Sequence, residues 1–130
     1  MNFQIRHRGF SLVEVLAAVA IIGIITFLAI PNLIRIKEDS EKNLAMARAE
    51  SLNMAMATYV QAAGQSAATA NWTGATTDDQ RYIQLAPYLA FAPDTLDNYM
   101  PLGYTVTFPA TLVPLSKATL KGPGNAAIAY

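Results

Sequence analysis

The chain has 130 residues, with nine basic and nine acidic side chains that cancel, and only 14% of its residues are charged while 53% are hydrophobic. A soluble domain averages about 25% charged residues, so this composition argues against an ordinary soluble protein and against a disordered one. The balanced charge shows no nucleic-acid footprint, and the absence of cysteine excludes a disulfide framework, a thiolate metal site and a cysteine nucleophile.

Residues 1–9 form a short leader containing Arg6, His7 and Arg8. Phe10 to Ile30 follows as an apolar run broken by a single charge, Glu14. As a helix this run measures about 31 Å at about 1.5 Å per residue, which matches the roughly 30 Å hydrocarbon core of a bilayer. Pro31 closes it, and a charged stretch begins, with Arg35, Lys37, Glu38, Asp39, Glu41, Lys42, Arg48 and Glu50 reading as a solvated helix face. Within that stretch Ala45, Ala49, Leu52, Met56, Tyr59 and Ala63 recur at intervals of three and four, the stripe of a helix that buries one side. Gly64 is placed to end the helix.

Residues 64–76 are small and polar and read as a loop, with Trp72 packing in it. Thr77 caps a short helix whose first turn holds Asp78 and Asp79. Tyr82, Ile83, Leu85 and Leu89 give that helix its apolar side, and Pro87 limits its length. From Gly103 to Phe108 the chain alternates, Tyr104, Val106 and Phe108 against Thr105 and Thr107, which predicts a half-buried strand. A second strand is expected over Thr111–Leu115 and a third over Ala118–Lys121, before the turn Gly122-Pro123-Gly124-Asn125; Ala126–Tyr130 is ambiguous. The expected fold is α+β: a long N-terminal helix, apolar first and amphipathic later, packed on a small antiparallel sheet. The expected divisions are a leader (1–9), a transmembrane or filament-core helix (10–31), an amphipathic helix (32–64) and a small globular head (65–130).

Three readings compete for the N-terminus. A signal peptide has a shorter apolar core and a small-residue cleavage site beyond it. A plain membrane anchor explains the length but not Glu14, because a carboxylate in a membrane helix costs roughly 2.5–3.5 kcal/mol. The third reading rests on Arg8-Gly9-Phe10-Ser11-Leu12-Val13-Glu14-Val15-Leu16, which resembles the processing site of type IV prepilins and the related pseudopilins. The resemblance is close over roughly residues 6–31 and looser to about residue 63. It implies that a prepilin peptidase cuts after Gly9 and methylates the new N-terminus at Phe10. Glu14 takes the place of the family's glutamate, and Gly23 and Pro31 correspond to its helix-disrupting glycine and proline. It further implies that Glu14 pairs with the amine of Phe10, on its own or a neighbouring subunit, during filament assembly. On the residues alone, Glu14 can also snorkel to the headgroups. Gly23 is equally readable as a glycine tolerated in a membrane helix, and Pro31 as a marker of the bilayer edge.

The resemblance implies a structural subunit of a type IV pilus-like filament. It would be held single-pass in the inner membrane before assembly and lie in an extracellular or periplasmic filament after it. Its partners would be copies of itself or other pilins, the inner membrane, the prepilin peptidase/methyltransferase and a pilus or secretion assembly machinery. A pseudopilin of a type II secretion system is the alternative within the class. A single-pass membrane-anchored binding module is the alternative outside it. Many major type IV pilins close their C-terminal region with a disulfide, which this chain cannot form. No cofactor and no metal site are expected, because the one histidine, His7, is in the leader and no cysteine exists. Asp78-Asp79 and Asp94…Asp97 lack the run of oxygen ligands of a calcium loop and read as turn and cap residues. No nucleophile–base constellation is present, so no enzyme is expected.

Overall fold

The computed structural model describes residues 9–130; Arg6, His7 and Arg8 lie outside the described residues. Helix α1 runs over Leu12–Ala63, 52 residues with Pro31 inside it. Two compact units divide within α1: the first ends at Glu38, and the second is Asp39–Tyr130. In the first, every described residue is exposed, including Phe27 at 79% and Ile36 at 64%.

The second unit holds the rest of α1, then α2 (Gln65–Gly74), α3 (Asp78–Leu85) and α4 (Leu96–Tyr99), and the strands β1 (Thr105–Thr107), β2 (Thr119–Lys121) and β3 (Ala127–Ile128). The sheet is antiparallel throughout in the order β1-β2-β3, with Val106 opposite Leu120 and Leu120 opposite Ile128. The architecture is α+β, a long N-terminal helix on a small antiparallel sheet. Its core joins Ala45, Ala49, Leu52, Met56 and Tyr59 of α1 to Val106 and Leu120 of the sheet. Three alanines of α1 are buried, at 45, 49 and 55; side chains this short let neighbouring backbone come close to the helix axis. Ala55 widens the expected stripe, since positions three and four along both face inward. Ala63, expected in the stripe, is exposed: it sits in the last turn, one residue before Gly64 turns the chain away at φ 81°.

Residues 64–76 are not a loop. Gln65–Gly74 is helical, and Ala68 and Trp72, four residues apart, are both fully buried. Local polarity suggests a loop there, but the core takes up one face, and most helical stability in proteins comes from such packing. Trp72 Nε1 donates to the Pro109 carbonyl at 2.9 Å, and its ring meets Phe108 edge-on at 5.6 Å.

Helix α3 starts as expected. Thr77 Oγ1 accepts from the Gln80 N–H at 3.2 Å, and Gln80 Oε1 accepts from the Thr77 N–H at 3.3 Å, completing a capping box. Asp78 and Asp79 reach further than a cap. Asp78 Oδ1 accepts from the Phe108 N–H at 3.0 Å, and Asp79 Oδ1 from the Leu96 N–H at 3.2 Å. The two carboxylates thus tie the start of α3 to the end of β1 and the start of α4. Tyr82 and Leu85 are buried as expected, whereas Ile83 is 60% exposed.

Tyr104, Val106 and Phe108 are all buried, as the alternation predicts. The strand expected over Thr111–Leu115 does not form. Pro114 has no N–H to give to a ladder, and only Leu112 of that segment is buried, so it anchors an irregular crossing. The expected third strand is β2, and the ambiguous C-terminal residues supply β3. Gly122 sits where a Cβ would lie 3.0 Å from Ile128 Cδ1, so a side chain there would press on Ile128 of β3.

Burial raises the phenol of Tyr82 above its ordinary value, with the nearby Tyr99 and Asp94 adding to the rise and Arg48 opposing it. Tyr82 Oη donates to the Pro93 carbonyl at 2.8 Å. The folded chain therefore holds this proton more tightly than the unfolded chain. The resulting stability is full below about pH 10, where an unfolded tyrosine titrates, and is lost as pH rises through the folded value. Between about pH 9 and 11 the wild-type Tm is expected to fall more steeply than that of Tyr82→Phe. The variant starts lower at neutral pH by about 1 kcal/mol for the lost hydrogen bond. Parallel Tm curves would remove this assignment.

Candidate functional site: the start of the apolar helix

Gly9 and Phe10 precede α1, lie outside regular structure and are exposed, Phe10 at 90%. The peptide bond between them is therefore accessible backbone, which a peptidase needs in order to take it in extended form. The first helical residue is Leu12, and Glu14 stands in its first turn.

Glu14 is joined to Ser11 twice. Its Oε2 accepts from the Ser11 N–H at 2.8 Å, and its own N–H donates to Ser11 Oγ at 3.2 Å. This reciprocal pair is a capping box. It satisfies two donors that a helix start leaves open and sets a carboxylate at the positive end of the helix dipole. The Ser-x-x-Glu spacing of residues 11–14 is a readable signature of such a start, and sequence reasoning did not use it. In the uncut chain the Phe10 nitrogen is a peptide nitrogen. Cutting after Gly9 would convert it to an ammonium one residue before the cap, adding positive charge where the dipole is already positive. Glu14 is the single acidic residue in that first turn able to offset it.

Further along, α1 continues through Gly23 and Pro31. A Cβ at Gly23 would meet nothing within 4 Å, so packing inside one subunit does not require glycine there. Pro31 lacks the N–H that would bond the Phe27 carbonyl, which leaves the ladder one bond short. Thr26, the polar side chain between them, has its hydroxyl bonded back to the Ile22 carbonyl at 2.8 Å, so it presents little unsatisfied polarity to an apolar environment. Among the described residues one helix, α1, is long and apolar enough to cross a membrane.

The charged stretch departs from a plain solvated face, with Arg48 and Glu50 each held by a partner from far along the chain. Arg48 is half-buried; its Nη1 donates to the Tyr99 carbonyl, and its guanidinium lies 5.5 Å from the Tyr99 ring centre. Glu50 accepts from Lys117 Nζ at 3.2 Å, and its hydrogen bonds to Asn53 and Lys117 hold its carboxyl below the usual range.

The family described as the prokaryotic N-terminal methylation motif matches residues 5–30, a span that contains Gly9, Phe10, Glu14 and Gly23 and stops just before Pro31. The chain is 31% identical over 106 residues to the type IV major pilin protein PilA of Myxococcus xanthus (strain DK1622), a match covering 82% of this chain and 40% of that protein. It is 35% identical over 54 residues to the type II secretion system core protein G of Pectobacterium carotovorum subsp. carotovorum, covering 42% of this chain and 35% of that one. These matches support the type IV pilin and pseudopilin family for this chain. That family is structural rather than enzymatic. The chain spans about two fifths or less of the length of the curated relatives it matches. No solved structure matches it.

Proposed function

We propose that this chain is a structural subunit of a type IV pilus-like filament. The observation that carries the reading is the first unit of α1. It is apolar on every side from Val15 to Ile30, exposed along its whole described length, and starts on a single carboxylate. A helix that is hydrophobic all round must be covered by lipid or by other helices. Lipid covers it before assembly, in the inner membrane, and neighbouring copies or other pilins cover it in the filament. A prepilin peptidase cuts the exposed Gly9–Phe10 bond and methylates Phe10, and the Phe10 ammonium then pairs with Glu14. The bond missing at Pro31 and the unpacked Gly23 make the stretch between them the part of α1 that extends or loosens when the subunit leaves lipid. The Asp39–Tyr130 unit forms the filament surface.

A secretion-system pseudopilin is the second reading, favoured by the similarity to core protein G. The similarity to the major pilin runs nearly twice as far along the chain and supports the pilus first. Arg6 and Arg8 before the apolar run and Arg35 and Lys37 after it nearly balance, so charge alone does not orient the helix. The cytoplasmic placement of the leader rests on the family.

The test is the intact mass of the protein recovered from sheared surface filaments. Removing residues 1–9 takes Arg6 and Arg8, leaving seven basic against nine acidic side chains. The expected mature chain starts at Phe10 and is heavier by one methyl group. An uncut chain, or one starting elsewhere, overturns the reading. Processed protein with no surface filament favours the secretion-system alternative.

A further inference from the structure

Strand β3 is two residues long and lies at the edge of the sheet, paired only through Leu120 with Ile128 and Lys121 with Ala127. Two pairs are too few to hold a strand by themselves. On one side the turn holds it, with the Gly122 N–H donating to the Ala126 carbonyl at 2.8 Å. On the other side stands a polar cluster that connects three distant parts of the Asp39–Tyr130 unit. Asn53, half-buried on α1, accepts from the Ala118 N–H through Oδ1 at 2.9 Å. Its Nδ2 donates to Tyr130 Oη at 3.2 Å and to Glu50 Oε2 at 3.0 Å. Tyr130 Oη in turn donates to the Ala118 carbonyl. Lys117 Nζ donates to Glu50 and to the Tyr130 backbone oxygen, at 3.2 and 3.1 Å.

We propose that Asn53, Ala118 and Tyr130 form a non-covalent clasp that holds the C-terminal edge of the sheet to α1, so that β3 opens as a local unit only when the clasp releases. Ala118 precedes β2 and is only 2% exposed. Its N–H and C=O are both taken by side chains, one from α1 and one from beyond β3. Buried backbone groups must find partners, so losing either side chain leaves Ala118 short of a bond that water cannot readily supply. Glu50 and Lys117 are exposed, and exposed ion pairs contribute little; the amide and the phenol carry the clasp. Its release would uncover the β2 edge, the kind of unpaired strand edge that invites pairing with another chain. The chain has no cysteine, so this closure is reversible under oxidising and reducing conditions alike.

The test is hydrogen exchange followed by mass spectrometry on the full chain in detergent micelles, which requires no filament and so stands or falls apart from the filament reading. Tyr130→Phe keeps the ring and removes one oxygen. It is expected to speed exchange across residues 118–128 by about tenfold, the loss of a buried hydrogen bond expressed as local opening, while residues 82–85 of α3 keep their rate. Asn53→Ala is expected to do the same more strongly, and Lys117→Ala to change the rate by less than about twofold. Equal acceleration at every core amide in Tyr130→Phe, or none, overturns the clasp. If Asn53→Ala does not fold, Tyr130→Phe decides alone.

Discussion

Replacing Glu14 by leucine is expected to leave the chain in the membrane and cut after Gly9, yet to remove nearly all sheared filament. Insertion should improve, since the change removes a carboxylate that costs roughly 2.5–3.5 kcal/mol in a membrane helix. The cut should survive because the Gly9–Phe10 bond lies outside the helix. Assembly should fail because each Phe10 ammonium enters the bundle with no counter-charge. An unpaired buried charge costs about 3–5 kcal/mol, which lowers the equilibrium constant for adding a subunit by about 10²–10⁴-fold. The capping box complicates this variant, since leucine also gives up the bond to the Ser11 N–H. Two further variants separate cap from charge. Glu14→Gln keeps an acceptor oxygen for Ser11 and removes the charge; it is expected to lose filament as leucine does. Ser11→Ala keeps the charge and weakens the helix start by about 1 kcal/mol; it is expected to polymerise. The measurement is sheared filament against total processed protein in each strain. Wild-type yield from Glu14→Gln would show that the cap, not the charge, is what assembly needs. A mild loss from Glu14→Leu would fit a carboxylate that snorkels, and no loss would fit a plain anchor.

What could be read from the residues was whatever short-range physics decides. The apolar run and the Ala45–Tyr59 stripe announce α1 through their period. Thr77, followed by Asp78 and Asp79, announces the start of α3, and the alternation from Tyr104 to Phe108 announces β1. Helix α2 was hidden because Gln65–Gly74 is locally polar and glycine-flanked; its helicity depends on Ala68 and Trp72 meeting a core made by residues far along the chain. The absent strand at Thr111–Leu115 shows the converse: Val113 and Leu115 have the right composition, and Pro114 denies them a ladder. Arg48 reads as a solvated helix position and Asn53 carries no signal at all, because nothing local tells that Tyr99 and Ala118 will stand opposite them. At the candidate site the resemblance puts Gly9, Phe10 and Glu14 at the family's spacing, while the Ser11 partner of Glu14, although signalled by Ser-x-x-Glu, enters only with the structure. Gly23 and Pro31 gave only an ambiguous signal, since a residue that weakens a helix reads the same whether lipid or a neighbouring subunit surrounds it.

Trp72→Ala is expected to be the most destabilising single change in the Asp39–Tyr130 unit. Trp72 is the one tryptophan of the chain and is fully buried. It links α2 to the segment after β1 through Pro109 and Phe108, and the Arg81 guanidinium lies 5.7 Å from its ring centre. Truncation removes the ring and leaves a cavity, which costs about 3–5 kcal/mol. It also removes the reason α2 is helical, because Ala68 alone would remain to bury. Domains of this kind have about 5–15 kcal/mol in total, so most of the stability of the unit is at stake. Trp72→Phe keeps an aromatic ring against Phe108 and gives up the bond to the Pro109 carbonyl, a loss of about 1 kcal/mol for the bond plus a smaller cavity term. Thermal unfolding of both variants, followed by circular dichroism because the fluorophore itself is removed, tests the order. At about 4–8 °C per kcal/mol for a domain of this size, Trp72→Ala should lose its cooperative transition or unfold at least about 12 °C earlier, and Trp72→Phe should fall by far less. A loss of helical signal at low temperature in Trp72→Ala, with the remaining transition intact, would mean that α2 melts by itself and that the rest of the core does not depend on it. Equal small shifts in the two variants would show that Trp72 fills space without holding α2 to the sheet.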